Sequence, residues 1–203
     1  MKLFFFPGAC SLSPHIILQE AGLPYSLEKV DLRTKKTASG VDFRTINPKG
    51  YVPVLQLNDG SYLTEGTAIM QYLADLVPDK KLAPAAGTME RYRLMETLSF
   101  ISTELHKNLS PLFNPTTPDA AKDSAINTLK QRFGLMEQQL GSADYLGGHQ
   151  FTVADAYLFV MLTWTTHVKI ALTDWPALQA FQTRVAARPA VHAAMAAEGL
   201  IKS

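Results

Sequence analysis

A chain of 203 residues is long enough to bury one large core or two smaller ones without help from disulfides or a metal. Its 47% hydrophobic share, 18% charged residues and formal net charge of +1 describe an ordinary globular protein. They exclude disordered, fibrous and membrane-spanning classes and give no reason to expect nucleic acid or a membrane as a partner. A single cysteine, Cys10, cannot form an internal disulfide, and Pro7 and Gly8 break the apolar start too early for a signal peptide, so a reducing cytoplasm is the expected location.

In chain order, KLFFF reads as a short strand, and SPHIILQEAGLP as a helix with Pro14 in its first turn and a stop at Gly22 and Pro24. YSLEKVDL alternates as a half-buried strand does. The polar stretch RTKKTASGVDFRTINPKG predicts at most a short irregular helix. PVLQL and SYLT flank Asn58, Asp59 and Gly60, a hairpin signal. EGTAIMQYLADLV then has helical spacing and ends at Pro78. The predicted order is β-α-β-α-β-β-α over residues 1–80.

Residues 81–88, within the aperiodic run PDKKLAPAAGT, predict a linker, and residues 89–203 an all-helical domain. Helices are expected at 89–108, 120–141, 153–170, 175–187 and 189–198. The run VADAYLFVMLTW is too short, and interrupted by Asp155, to span a bilayer. Thr152 and Asp155 fit an N-terminal capping box, which makes Asp155 structural rather than catalytic.

Cys10 stands between a strand end and a helix start, where free amides and the positive end of the helix dipole favour a thiolate. The bland alternative is a buried, inert thiol. The strand-loop-Cys-helix beginning within this element order is the thioredoxin arrangement, and Ser13 occupies the position where a resolving cysteine would stand. A redox cycle at Cys10 therefore needs an external thiol, of which glutathione is the abundant cellular one. Pro53 is compatible with either peptide isomer; a cis bond would turn the Val52 backbone toward an extended peptide. Thr64-Glu65-Gly66 opens a helix where amides can hold a carboxylate and Glu65 an ammonium group.

Together, PGACSLSPH, NPKGYVPVLQL, LTEGTAIMQYLADLVP, ELHKNLSPLF and FTVADAYLF resemble the bacterial beta-class glutathione transferases across essentially the whole chain. The resemblance implies an N-terminal thioredoxin-like domain with a C-terminal helical domain, a cytoplasmic homodimer, and glutathione as substrate with no further cofactor. It also implies site roles. Cys10 is the catalytic thiol, Val52 before a cis Pro53 binds the peptide backbone, Glu65 and Gly66 hold the γ-glutamyl end, and Lys35 approaches the glycine carboxylate. His106 reaches the sulfur region, with Thr103, Glu104 and Lys107 beside it as glutathione contacts. Ser99 stands where relatives are expected to carry asparagine, which weakens its contact. Phe4, Phe5 and Phe6 offer no hydroxyl of the kind that activates the thiol elsewhere in the superfamily.

His15, His149, His167 and His192 lack metal-ligand spacing, so no metal is expected, and no phosphate loop or glycine-rich nucleotide turn is present. Tyr157, Trp164 and Phe113 read as packing aromatics, with Phe113 and Leu112 as candidates for lining a second-substrate pocket. The expected activity is conjugation of glutathione to electrophilic, apolar compounds. The alternatives are thiol-disulfide exchange or reductive dehalogenation through a Cys10 mixed disulfide, and a non-catalytic carrier of apolar ligands.

Overall fold

The run Leu3-Phe4-Phe5 is buried throughout because β1 (Lys2–Phe5) is the middle strand of a five-stranded sheet. In this computed structural model, which describes residues 1–202, the strand order is β3-β2-β1-β4-β5. β1 pairs parallel with β2 (Ser26–Asp31), with Leu3 opposite Leu27, and antiparallel with β4 (Val54–Gln56), with Leu3 opposite Leu55. The parallel pair requires a crossover, which α1 (Leu12–Ala21) supplies. α1 ends as predicted at Gly22, whose φ of 67° only glycine adopts without strain.

The predicted hairpin forms between β4 and β5 (Tyr62–Thr64). Asp59 Oδ1 accepts from the Ser61 amide at 2.9 Å, and Gly60 takes a φ of 87°. Residues 33–50 hold no more than the short irregular helix expected, and add a strand. They contain the two-residue strand β3 (Lys36–Thr37), antiparallel to β2, and one 3-10 turn (Phe43–Thr45) as the short irregular helix. Phe43 explains this: it is fully buried with Phe4, Val30, Val52 and Val54, so the segment folds around one apolar anchor rather than along a helical stripe. α2 (Gly66–Asp75) packs against α1.

The chain divides into two compact units: Met1–Ala83 together with the segment from Arg188 onward, and Pro84–Ala187. The segment that follows the helices of the second unit belongs to the first. α8 (Pro189–Ala197) packs on α1. Polar contacts within the first unit account for this. Arg188 donates Nε and Nη2 to the two carboxylate oxygens of Glu20 at 2.6 and 2.9 Å. Glu198 Oε1 meets His15 Nδ1 at 2.8 Å, and Glu198 Oε2 accepts from the Gly8 amide at 2.9 Å. His15 is thus buried and structural.

The second unit is helical. α3 (Met89–Phe100) runs into a π-helical turn (Ile101–His106) and the short α4 (Lys107–Leu109), which ends in a 3-10 turn at Ser110–Phe113. α6 (Val153–His167) packs against α3, the π-helical turn and α7 (Pro176–Ala186), while α5 (Asp119–Leu140) packs against α4 and α7. α6 is apolar around most of its circumference and correspondingly buried around most of it. Its start carries the predicted capping box, and Asp155 also accepts from the Leu146 amide at 2.8 Å. The Glu137 carboxylate accepts from the Ala177 and Leu178 amides, so α5 caps the start of α7. Among the described residues, no helix is long and apolar enough to cross a membrane.

Candidate functional site

Cys10 lies in the tight turn joining β1 to α1. The turn is held by Ala9 N–H to Phe6 O at 3.0 Å, by Leu12 N–H to Ala9 O at 2.9 Å, and by the Ser11 hydroxyl, which donates to Phe6 O and accepts from Phe6 N–H. Gly8, at φ 71°, makes the sharp reversal possible. The fold brings Val52 to this turn, and Cys10 Sγ donates to the Val52 carbonyl at 3.3 Å.

Burial pushes the Cys10 thiol up to about 12. The backbone N–H groups of Cys10 and Ser11 pull it down and the Glu65 carboxylate adds a smaller push upward. Desolvation outweighs the pull of these amides and of the helix start, so the folded surroundings favour the neutral thiol over the thiolate. Ser13, in the place of a resolving cysteine, is buried, with no partner for its hydroxyl among the described residues.

The Val52–Pro53 peptide is cis. Both residues are buried, and Gly66 lies close to the Pro53 ring: a methyl at Gly66 would sit 3.6 Å from Pro53 Cγ. The first turn of α2 therefore lies against the Val52–Pro53 segment, at a distance where an added methyl would make an ordinary van der Waals contact. Glu65, just before it, has φ 71° and ψ 113°, a conformation costly for any residue but glycine, and its side chain is exposed. The carboxylate pairs with Lys49 Nζ, a residue the sequence reading passed over because nothing in NPKG marks it; sixteen residues separate the pair. Lys35 Nζ donates to Gly50 O at 3.0 Å and lies 5.8 Å from the Tyr51 ring centre, so it stands beside the segment leading into Val52. In the first unit, Cys10, Val52, Pro53, Glu65 and Gly66 thus converge, with Lys35 and Lys49 on neighbouring backbone.

In the second unit, Ser99, Thr103, Glu104, His106 and Lys107 follow one another along α3, the π-helical turn and α4. Thr103 Oγ1 donates to Ser99 O at 3.0 Å, and Glu104 Oε2 accepts from Arg132 Nε at 2.6 Å. Ser99 and Lys107 are exposed. The π-helical turn carries no sequence signature, yet such turns concentrate at functional positions, and this one ends on His106. His106 Nδ1 is 2.7 Å from the Tyr157 hydroxyl. Its ring meets Trp164 edge-on at 5.0 Å, and Trp164 meets Phe113 at 5.3 Å. Tyr157 and Trp164 are buried, whereas Phe113 is 47% exposed. Burial lowers the His106 pKa to about 4, so the ring is neutral near neutrality and holds no proton to shuttle as an imidazolium.

Comparison with known proteins agrees with both halves of this arrangement. Residues 8–76 match the N-terminal domain of glutathione S-transferases and residues 100–189 match their C-terminal domain. The chain is 46% identical over 200 residues to glutathione S-transferase GstA of Escherichia coli O157:H7, covering 98% of this chain and all of that one. Its fold superposes on BphK, a bacterial GST solved as a ternary complex, with a TM-score of 0.97 at 58% identity, covering 98% of this chain and 100% of that one. It superposes on the beta-class enzyme of Sphingomonas chungbukensis with a TM-score of 0.96 at 50% identity, covering 99% and 100%. With both domains matched in order and relatives aligned end to end, the chain belongs to the glutathione S-transferase family, beside its bacterial beta-class members.

Proposed function

We propose that this glutathione transferase joins glutathione to apolar electrophiles, and that Cys10 serves as a hydrogen-bond donor to the glutathione sulfur rather than as a nucleophile. The observation that carries this reading is the Cys10 thiol itself: desolvated, held protonated, and donating to the Val52 carbonyl. An arriving peptide that pairs with the Val52 backbone competes for that carbonyl and releases the S–H toward the incoming thiolate. The thiolate sulfur then attacks the electrophilic carbon. A C–S bond forms, a halide departs with its electron pair or an addition product takes up a proton, and the thiol proton passes to solvent.

On this reading Val52 and Pro53 receive the peptide backbone, Glu65 and Gly66 the γ-glutamyl end, and Lys35 the glycine carboxylate once it leaves Gly50. Ser99, Thr103, Glu104, His106 and Lys107 supply the contacts of the helical domain, with His106 acting at the sulfur. The resemblance supports these roles, together with a homodimer, no cofactor beyond glutathione, and a cytoplasmic setting.

The competing route is thiol-disulfide exchange. Cys10 would attack, become glutathionylated, and wait for a second glutathione, since Ser13 cannot resolve the adduct. Assays of a chlorodinitrobenzene with Cys10→Ala, alongside intact mass after exposure to glutathione disulfide, separate the two. Conjugation should fall by roughly tenfold, less than for loss of a backbone donor because S–H is a weak one. Glutathione disulfide should leave no adduct on Cys10 of the wild type near neutrality. Abolition of both activities, with a stable Cys10 adduct formed near neutrality, would overturn the donor reading.

A further inference from the structure

Tyr157 and Trp164 are seven residues apart on α6, hence on one face, and both address the same imidazole. His106 reaches them from the end of the π-helical turn, and all three belong to the second unit. The Tyr157 ring meets the His106 ring edge-on at 5.9 Å and an 83° interplanar angle, while its hydroxyl lies 2.7 Å from Nδ1. Trp164 crosses the imidazole at 80°. These contacts fix the ring plane and leave Nε2 as the nitrogen not engaged by the phenol.

The direction of the Tyr157–His106 bond decides what Nε2 offers. A phenol, with an ordinary pKa of about 10, is a far stronger proton donor than a neutral imidazole N–H, and an imidazole nitrogen is a far stronger acceptor than a phenol oxygen. O–H donation to Nδ1 is therefore the favoured polarity, and it obliges the ring proton to sit on Nε2. We propose that Tyr157 is a positioning residue that holds His106 as the Nε2–H tautomer, so that His106 meets the glutathione sulfur as a hydrogen-bond donor and not as a proton acceptor. This rests on the reading above that His106 acts at the sulfur. As the Nε2–H tautomer the imidazole donates to a thiolate and takes up no thiol proton, which passes to solvent instead. The lowered His106 basicity is consistent with it.

The test is nitrogen NMR of the imidazoles in the whole protein, with His106→Gln identifying the signal among the five histidines. The wild type should show His106 protonated on Nε2. In Tyr157→Phe, which keeps the ring and removes only the hydroxyl, the Nδ1 shift should move and the two tautomers should mix. Turnover of a chlorodinitrobenzene should fall several-fold, with the KM for glutathione changed less than twofold. An Nδ1–H signal in the wild type, or a Tyr157→Phe spectrum and turnover equal to wild type, would overturn the proposal. If Tyr157→Phe fails to fold, the wild-type spectrum alone decides. Full activity in His106→Gln would instead overturn the placement of His106 at the sulfur and leave the tautomer measurement standing, so the two failures are distinguishable.

Discussion

Cys10 Sγ and the Val52 carbonyl oxygen lie 3.3 Å apart, with the sulfur as donor. Val52 belongs to the apolar cluster with Phe4, Phe43 and Val54, so the acceptor is fixed by core packing, while the donor sits on a turn held by Gly8 and Ser11. The folded-state pKa of about 12 exceeds the ordinary 9.0, which means the folded protein holds this proton more tightly than the unfolded chain does. The stability this supplies is fully present below the ordinary value and is lost as pH rises through about 12. Wild type should therefore lose stability relative to Cys10→Ala across that alkaline window, as denaturant titrations at stepped pH will show.

Glu65 departs from allowed backbone geometry just before α2, and such departures persist where function requires them. Relief of a strain of roughly 1–3 kcal/mol should outweigh the roughly 0.5–1 kcal/mol that glycine loses through unfolded-state entropy. Glu65→Gly should hold or raise the melting temperature while raising the KM for glutathione several-fold. A clear fall in melting temperature with an unchanged KM would make Glu65 a structural residue only.

Asp155 accepts from the Leu146 amide, the Thr152 amide and the Thr152 hydroxyl within a fully buried site. Asp155→Ala strips the buried Thr152 amide and the part-buried Leu146 amide of their acceptor and should cost about 2–4 kcal/mol in denaturant unfolding. Burial raises its pKa from 3.8 to about 6, so proton binding favours the fold. That contribution is fully present below the ordinary value and is lost as pH rises through about 6. The advantage of wild type over the non-titrating Asp155→Asn should shrink across that interval.

Glu198 joins the turn before Cys10 to α1 through Gly8 and His15, with both side chains of the His15 pair fully buried. Glu198→Ala removes the carboxylate that faces the fully buried His15 ring and accepts from the Gly8 amide, and should destabilise the protein by about 3 kcal/mol or more. It should also expose the segment from Arg188 to limited proteolysis before the rest of the first unit is cut. Cleavage patterns identical to wild type would show that Arg188 with Glu20 is a sufficient tether.

What the sequence disclosed and what it hid follow a physical division. Local signals were legible: Gly22 after an apolar helix, Asp59-Gly60 between strands, and Thr152 with Asp155 before a buried run each act over a few residues. Relationships across the chain were not. Glu198 looks like an ordinary helix end until the fold sets it against His15, and Lys49 has no distinguishing neighbours until Glu65 is brought to it. The desolvation of Cys10 was hidden for the same reason. Helix-start amides are visible in sequence, but the walls that desolvate the sulfur come from distant segments. Tyr157 read as packing, and packing is half of its role, because its ring is buried while its hydroxyl addresses His106.

The most direct test of the account is an ultraviolet titration of the thiolate in ligand-free protein, read as the difference between wild type and Cys10→Ala. The account predicts no Cys10-dependent thiolate through neutral and mildly alkaline pH, with ionisation only near the alkaline limit of the folded state. A Cys10 thiolate already present near neutrality would contradict it, make Cys10 a nucleophile poised for disulfide exchange, and remove the S–H donor on which the conjugation mechanism depends.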